Sequence, residues 1–143
     1  MPTELGVTLD TSCGIPFKGF MLQARQANSL NTQSIVGSFS EPGLAGTHLL
    51  DCSGGKVVTH TNNNEKNNLE FEWTVTGSLT EHVVFVATFV RGFSEFYVKV
   101  YSEVLKYTGD NNLPTGTFPT PHECPVLVVS LRMLMWNFEE LLL

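Results

Sequence analysis

Apolar and polar residues alternate without a break through Leu69-Glu70-Phe71-Glu72-Trp73-Thr74-Val75-Thr76. A period of two puts Leu69, Phe71, Trp73 and Val75 on one face of a strand, whereas a helix would scatter them around its circumference. The stretch is expected to be a strand with one buried and one wet face. Truncating a core Trp to Ala typically costs roughly 3–5 kcal/mol, so Trp73 should weigh heavily in stability. Residues 6–9 read as a short strand, and residues 10–16, with Ser12, Gly14 and Pro16, as a turn. Residues 17–25 follow as a second strand, with Phe20, Leu22 and Ala24 on one face and Met21, Gln23 and Arg25 on the other. Gly19 within that run signals a bulge or a close backbone approach. Residues 26–34 form a polar loop, and residues 35–39 a short extended piece.

Residues 47–52 come next, then a turn at Ser53-Gly54-Gly55, then the β-branched run Val57-Val58-Thr59-His60-Thr61, another strand. The segment Asn62-Asn63-Asn64-Glu65-Lys66-Asn67-Asn68 is too polar to bury and too rich in Asn to favour a helix, so an exposed loop is expected there. Residues 82–90 are apolar on both faces, the signature of a strand covered on both sides. Residues 96–101 alternate again, with Phe96, Val98 and Val100 predicted inward. Strands at intervals of roughly 10–15 residues, with turn chemistry between them and no long helical period, indicate an all-β fold, an antiparallel β-sandwich.

The sandwich is expected over residues 1–106. Residues 107–121, with Gly109, Pro114, Gly116, Pro119 and Pro121, have linker composition. Residues 122–143 form an apolar tail. Arg132 inside it, and Glu139 and Glu140 near its end, argue against a membrane span, since a central charge costs roughly 2.5–3.5 kcal/mol. An amphipathic segment docking on the sandwich is the expectation for it.

Composition narrows the chemistry. A chain of 143 residues with 42% hydrophobic and 15% charged residues can bury a real core in one domain. A formal charge of −6 with eight Lys and Arg spread along the chain opposes nucleic acid as a partner, because phosphate-backbone affinity needs clustered cations. Three cysteines, Cys13, Cys52 and Cys124, have no zinc or thioredoxin-like spacing, and an odd count leaves one unpaired. A Cys13–Cys52 disulfide would close a loop of about 40 residues, worth roughly 4 kcal/mol in the chain-entropy model. The N-terminus Met1-Pro2-Thr3-Glu4 lacks the basic and apolar regions of a signal peptide.

Six segments, taken in order, resemble the reeler domain. They are residues 17–25, Val36-Gly37-Ser38-Phe39, Leu50-Asp51-Cys52, Thr59-His60-Thr61-Asn62 with Lys66, Phe71-Glu72-Trp73, and residues 84–90. That module is found at the start of reelin and F-spondin, in insect defence proteins and in ferric-chelate reductase-like proteins. The stretch from Arg25 to Asn31 followed by Gly37-Ser38-Phe39 is most similar to the ferric-chelate reductase-like branch. The resemblance implies an immunoglobulin-like β-sandwich of secreted or cell-surface proteins. It also implies an N-terminal strand carrying a Cys that pairs with the one at Cys52. This sequence starts after that region, so Cys13 would have to substitute or Cys52 stays reduced, and the sandwich would present an edge open to pairing. The family's Trp-x-Ala-Pro is Trp73-Thr74-Val75-Thr76 here, and a Trp common in the last strand is Tyr97.

Catalytic chemistry finds little support in the residues. His48, His60, His82 and His122 lack ligand spacing. Cys52 follows Asp51, whose charge disfavours a thiolate. Glu70 and Glu72 are neighbours on a wet strand face, and no site for haem or flavin is recognisable. No cofactor or metal is expected. The candidate contact surfaces are the loops at 26–34 and 62–68, since binding residues concentrate on loops held by a rigid scaffold. The candidate ligand-contact residues are Asn62, Asn63, Asn64, Lys66, Arg25 and Arg91. With Lys99, the cations could anchor an anionic microbial glycolipid if they met on one face. As the resemblance implies, the expected role is a non-catalytic extracellular module recognising microbial cell-wall components or a protein partner. The alternative is an ectodomain piece of a membrane ferric-chelate reductase whose redox chemistry lies in other domains.

Overall fold

Strand chemistry dominates the described residues, 3–11, 16–27, 35–52, 55–75, 81–92, 94–106 and 127–133, of a computed structural model in which none of them is helical. The strands are β1 (Thr3–Thr11), β2 (Gly19–Gln26), β3 (Ser38–Phe39), β4 (Thr47–Cys52), β5 (Gly55–His60), β6 (Asn68–Val75), β7 (Val83–Gly92), β8 (Glu95–Tyr101) and β9 (Leu127–Met133). They form one sheet in the order β8-β7-β2-β5-β3-β6-β1-β9, with β4 paired along β5. Every ladder is antiparallel except the single parallel link between Ser38 and Lys56. The sheet curls until β9 reaches β7 and β8. The half containing β9, β1, β6 and β3 thereby faces the half containing β5, β2, β7 and β8 across a shared core, which is the sandwich expected from the pattern.

Strand β6 behaves as its alternation requires: Phe71 and Trp73 are buried, while Glu70 and Glu72 are exposed. Leu5, Val7 and Leu9 of β1 stand opposite Trp73, Phe71 and Leu69 and are fully buried. Trp73 meets Phe85 edge-to-face at 5.1 Å between ring centroids, and Phe17 meets Phe89 at 4.9 Å. Such pairs add stabilisation beyond the area they bury. The Trp73 indole N–H donates to the Val36 carbonyl at 3.0 Å. Beside that bond Gly37 has a φ of +64°, and a Cβ built there would lie 2.6 Å from both the Trp73 ring and the Thr74 carbonyl oxygen. Strand β7 is buried on both faces as expected, because Ala27, Val84 and Val86 pack with Tyr101 and Val104 on the side away from the main core.

Two expectations change. Phe96 and Val98 face solvent, 60% and 56% exposed, while Tyr97 packs on the core and Val100 is buried. The cause is a bulge in β8. Ala87 and Phe89 of β7 pair with Val100 and Tyr97 of β8, so β8 carries one extra residue there, and Lys99 absorbs it at a φ of +56°. Further out, Val90 and Gly92 pair with Phe96 and Glu95, so the extra residue, Arg91, lies on β7. Part of the tail, Leu127–Met133, docks on the sandwich as strand β9, hydrogen-bonded along β1 from Leu5↔Met133 to Thr11↔Leu127. It therefore covers one side of β1, and Val129 is buried in the common core.

Candidate functional site

The Asn-rich loop is organised from within by Lys66. Its backbone exchanges two hydrogen bonds with Phe17, at 2.8 and 2.9 Å, which fastens the loop to the start of β2. Its side chain turns inward. The ammonium donates to the carbonyls of Asn64 (2.7 Å), Lys18 (2.9 Å) and Asn62 (3.1 Å) and to Asn62 Oδ1 (3.2 Å). Lys66 is only 7% exposed, and desolvation by burial lowers its pKa below the ordinary 10.5. A buried charge is tolerable here because oxygen acceptors surround it. Asn62 also closes an Asx turn, its Oδ1 accepting the Asn64 amide at 3.0 Å.

Beside this loop lies a cavity of about 480 Å³ lined by Lys18, Gly19, His60, Asn63, Val90, Gly92 and Phe96. The sheet register builds it. Gly19 of β2 pairs with Val90 of β7, which pairs with Phe96 of β8, so these three form a row on the outer face. Gly19 is needed for a steric reason: a Cβ there would sit 2.9 Å from the His60 ring, the close approach that a glycine inside a strand signals. His60 Nδ1 packs on the Phe20 backbone, 3.0 Å from its amide nitrogen and 3.1 Å from its carbonyl oxygen.

The residues singled out from sequence thus separate into three sets. Asn62 and Lys66 hold the loop together, and Lys66 is not offered to solvent. Asn63 lines the cavity and Asn64 is exposed beside it. Arg25 lies opposite Val84, seven residues from Arg91 on β7, which is roughly 23 Å along a strand. Its Nε donates to Gln23 Oε1 at 2.8 Å. Arg91 pairs with Glu95 and donates to the Pro16 carbonyl at 3.4 Å. Arg25 is therefore remote from Arg91, and Lys66 is buried, so the three cations do not form one exposed cluster. Cys52 is half-buried with a free thiol, while Cys13 and Cys124, like His122, lie outside the described residues. Lys18, His60 and Phe96 were not among the candidates from sequence. Gly19 was the available signal for His60, but no signal pointed to Phe96, whose orientation follows from the bulge at Lys99.

The family model for the reeler domain matches residues 1–113. The chain belongs to the reeler family. Its tail beyond residue 113, β9 included, lies outside that match. This reeler chain is 34% identical over 118 residues to ferric-chelate reductase 1 of Mus musculus, covering 81% of this chain and 19% of that protein. It is 33% identical over 104 residues to ferric-chelate reductase 1 of Homo sapiens, covering 71% of this chain and 17% of that one. A Bombyx mori protein named "Putative defense protein" is 36% identical over 94 residues, 62% of this chain and 52% of that protein. The chain thus spans about a fifth of the length of the reductases it matches. Among solved structures, the human F-spondin reeler domain superposes with a TM-score of 0.56 at 20% identity, covering 67% of this chain and 69% of that one. That likeness agrees with the β-sandwich fold.

Proposed function

We propose that this reeler chain is a non-catalytic recognition module that works outside the cell, and that its ligands are components of microbial surfaces. The observation that carries the reading is the pairing of a pre-ordered loop with an open cavity. Lys66 fixes residues 62–66 through side-chain and backbone bonds, so the loop presents Asn63 and Asn64 with little ordering entropy left to lose on binding. The defence-named relative supports the microbial form of this reading. The test is retention of the purified chain on lipopolysaccharide, lipoteichoic acid and glucan, beside an unrelated immunoglobulin-like domain. Retention above that control is expected on at least one surface, and equal retention on all three overturns the microbial form.

A second reading rests on the reductase-named relatives, of which this chain matches about a fifth. In it the chain is an ectodomain piece of a membrane ferric-chelate reductase, acting as a spacer or in substrate delivery. A full transcript that continues into a haem-binding, multi-span region supports this reading. Ferric reduction by the isolated, haem-free chain would overturn the non-catalytic assignment in both.

A further inference from the structure

Resting on the recognition reading above, we infer that the cavity between His60 and Phe96 is the ligand site, and that it takes an amphipathic anion with one apolar chain or ring and one carboxylate or phosphate end. Three features of the cavity point the same way.

Its floor is apolar. Gly19 and Val90 lie side by side on the outer face, and the His60 ring packs directly over Gly19. A volume of about 480 Å³ falls within the range of small-molecule sites, roughly 300–1,000 Å³.

One wall is an aromatic ring held in water. Phe96 is 60% exposed although it is flanked in sequence by a half-buried Tyr97. The register explains its position: the bulge at the left-handed Lys99 shifts the phase of β8, so that Tyr97 faces the core beside Phe89 and Phe96 faces outward beside Val90. Bulges commonly re-aim side chains next to functional sites. An isolated exposed apolar residue needs no explanation, but a ring that forms a cavity wall does offer a ligand apolar area to bury.

The polar groups favour an anion. Lys18 brings an ammonium, Asn63 an amide, and His60 an imidazole whose Nδ1 is engaged by the Phe20 backbone. No carboxylate is among the described lining residues, even though the whole chain carries a formal charge of −6. Local complementarity therefore runs against the net charge, as a site built for an anion requires. The Lys18 backbone carbonyl serves the Lys66 clamp, while its side chain is exposed, so the ammonium can be removed without touching the clamp.

The experiment is isothermal titration of the full chain with decanoate, decyl phosphate, decanol and acetate, repeated on Lys18→Gln and Phe96→Ser. Both substitutions are at exposed side chains, and thermal melts confirm that each variant stays folded. Saturable 1:1 binding of at least one decyl anion is expected, with decanol and acetate each at least tenfold weaker. Each variant should weaken the anion roughly tenfold, the effect of losing one good contact. Preference for decanoate assigns a free acyl carboxylate, and preference for decyl phosphate a phosphate-bearing lipid; both support the site. Absence of saturable binding by either anion, or unchanged affinity in both variants, overturns it. Retention on a microbial surface without anion binding would overturn the cavity assignment alone, whereas anion binding without such retention would overturn only the microbial form of the function.

Discussion

Substituting Gly37 by Ala tests the packing of the core most directly, because Gly43 provides a matched control. Both glycines have φ near +60°, but a Cβ at Gly43 would meet nothing within 4 Å, while one at Gly37 would lie 2.6 Å from the Trp73 ring and from the Thr74 carbonyl oxygen. The left-handed conformation costs an Ala roughly 1–2 kcal/mol at either site. Reduced entropy of the unfolded chain returns about 0.4–1 kcal/mol in both. Gly43→Ala should therefore lose about 0.5–1 kcal/mol. At Gly37 the methyl group must also displace a β6 backbone atom or the buried indole, an overpacking cost of roughly 1–3 kcal/mol. Shifting the indole strains its 3.0 Å bond to the Val36 carbonyl, for about another 1 kcal/mol. Gly37→Ala should lose about 3–5 kcal/mol in all, which lowers Tm by roughly 10–20 °C in a domain of this size. Urea denaturation followed by circular dichroism and Trp fluorescence gives both values. Equal losses for the two variants, within about 0.5 kcal/mol, would refute the close-contact argument.

Four further outcomes follow from other parts of the fold. Lys66→Met should lose about 2–3 kcal/mol in denaturation and speed amide exchange across residues 62–66, since four acceptors lose their shared donor. The Lys66 pKa is lowered in the folded state, so the unfolded chain holds more protons as pH approaches 10.5 from below, and stability gains a rising component in that window that Lys66→Met should lack. Trp73→Phe should cost about 2 kcal/mol by urea titration, through the unpaired Val36 carbonyl and the vacated volume. Ending the chain at residue 121 should open the β1 edge and uncover the core around Val129, giving concentration-dependent association in light scattering.

Much of this fold can be read from periodicity, because a strand with one wet face writes its orientation into alternate residues. Phe71 and Trp73 are buried and Glu70 and Glu72 exposed for that reason, and β7 shows its double burial as apolar residues on both faces. Phe96 and Val98 escape the rule because a bulge shifts the phase of alternation, and neither Arg91 nor Lys99 is a residue type that marks one. Strand β9 escapes because an apolar run of mixed character does not name its partner, which here is β1 at the other end of the chain. The burial of Lys66 is not legible in the sequence, because composition records its charge, whereas the carbonyls that surround it are backbone atoms common to every sequence.

The pairing of β1 with β9 also sets an order of events during synthesis. Strand β1 can pair with β6 once Val75 has left the ribosome, yet its other side waits for Leu127–Met133. At about 5–20 residues per second that interval is roughly 3–12 s, long compared with the microseconds in which a hairpin forms. Throughout it the nascent chain carries a half-finished strand with an uncovered row of backbone donors and acceptors, and this is the window in which a chaperone would have most to protect.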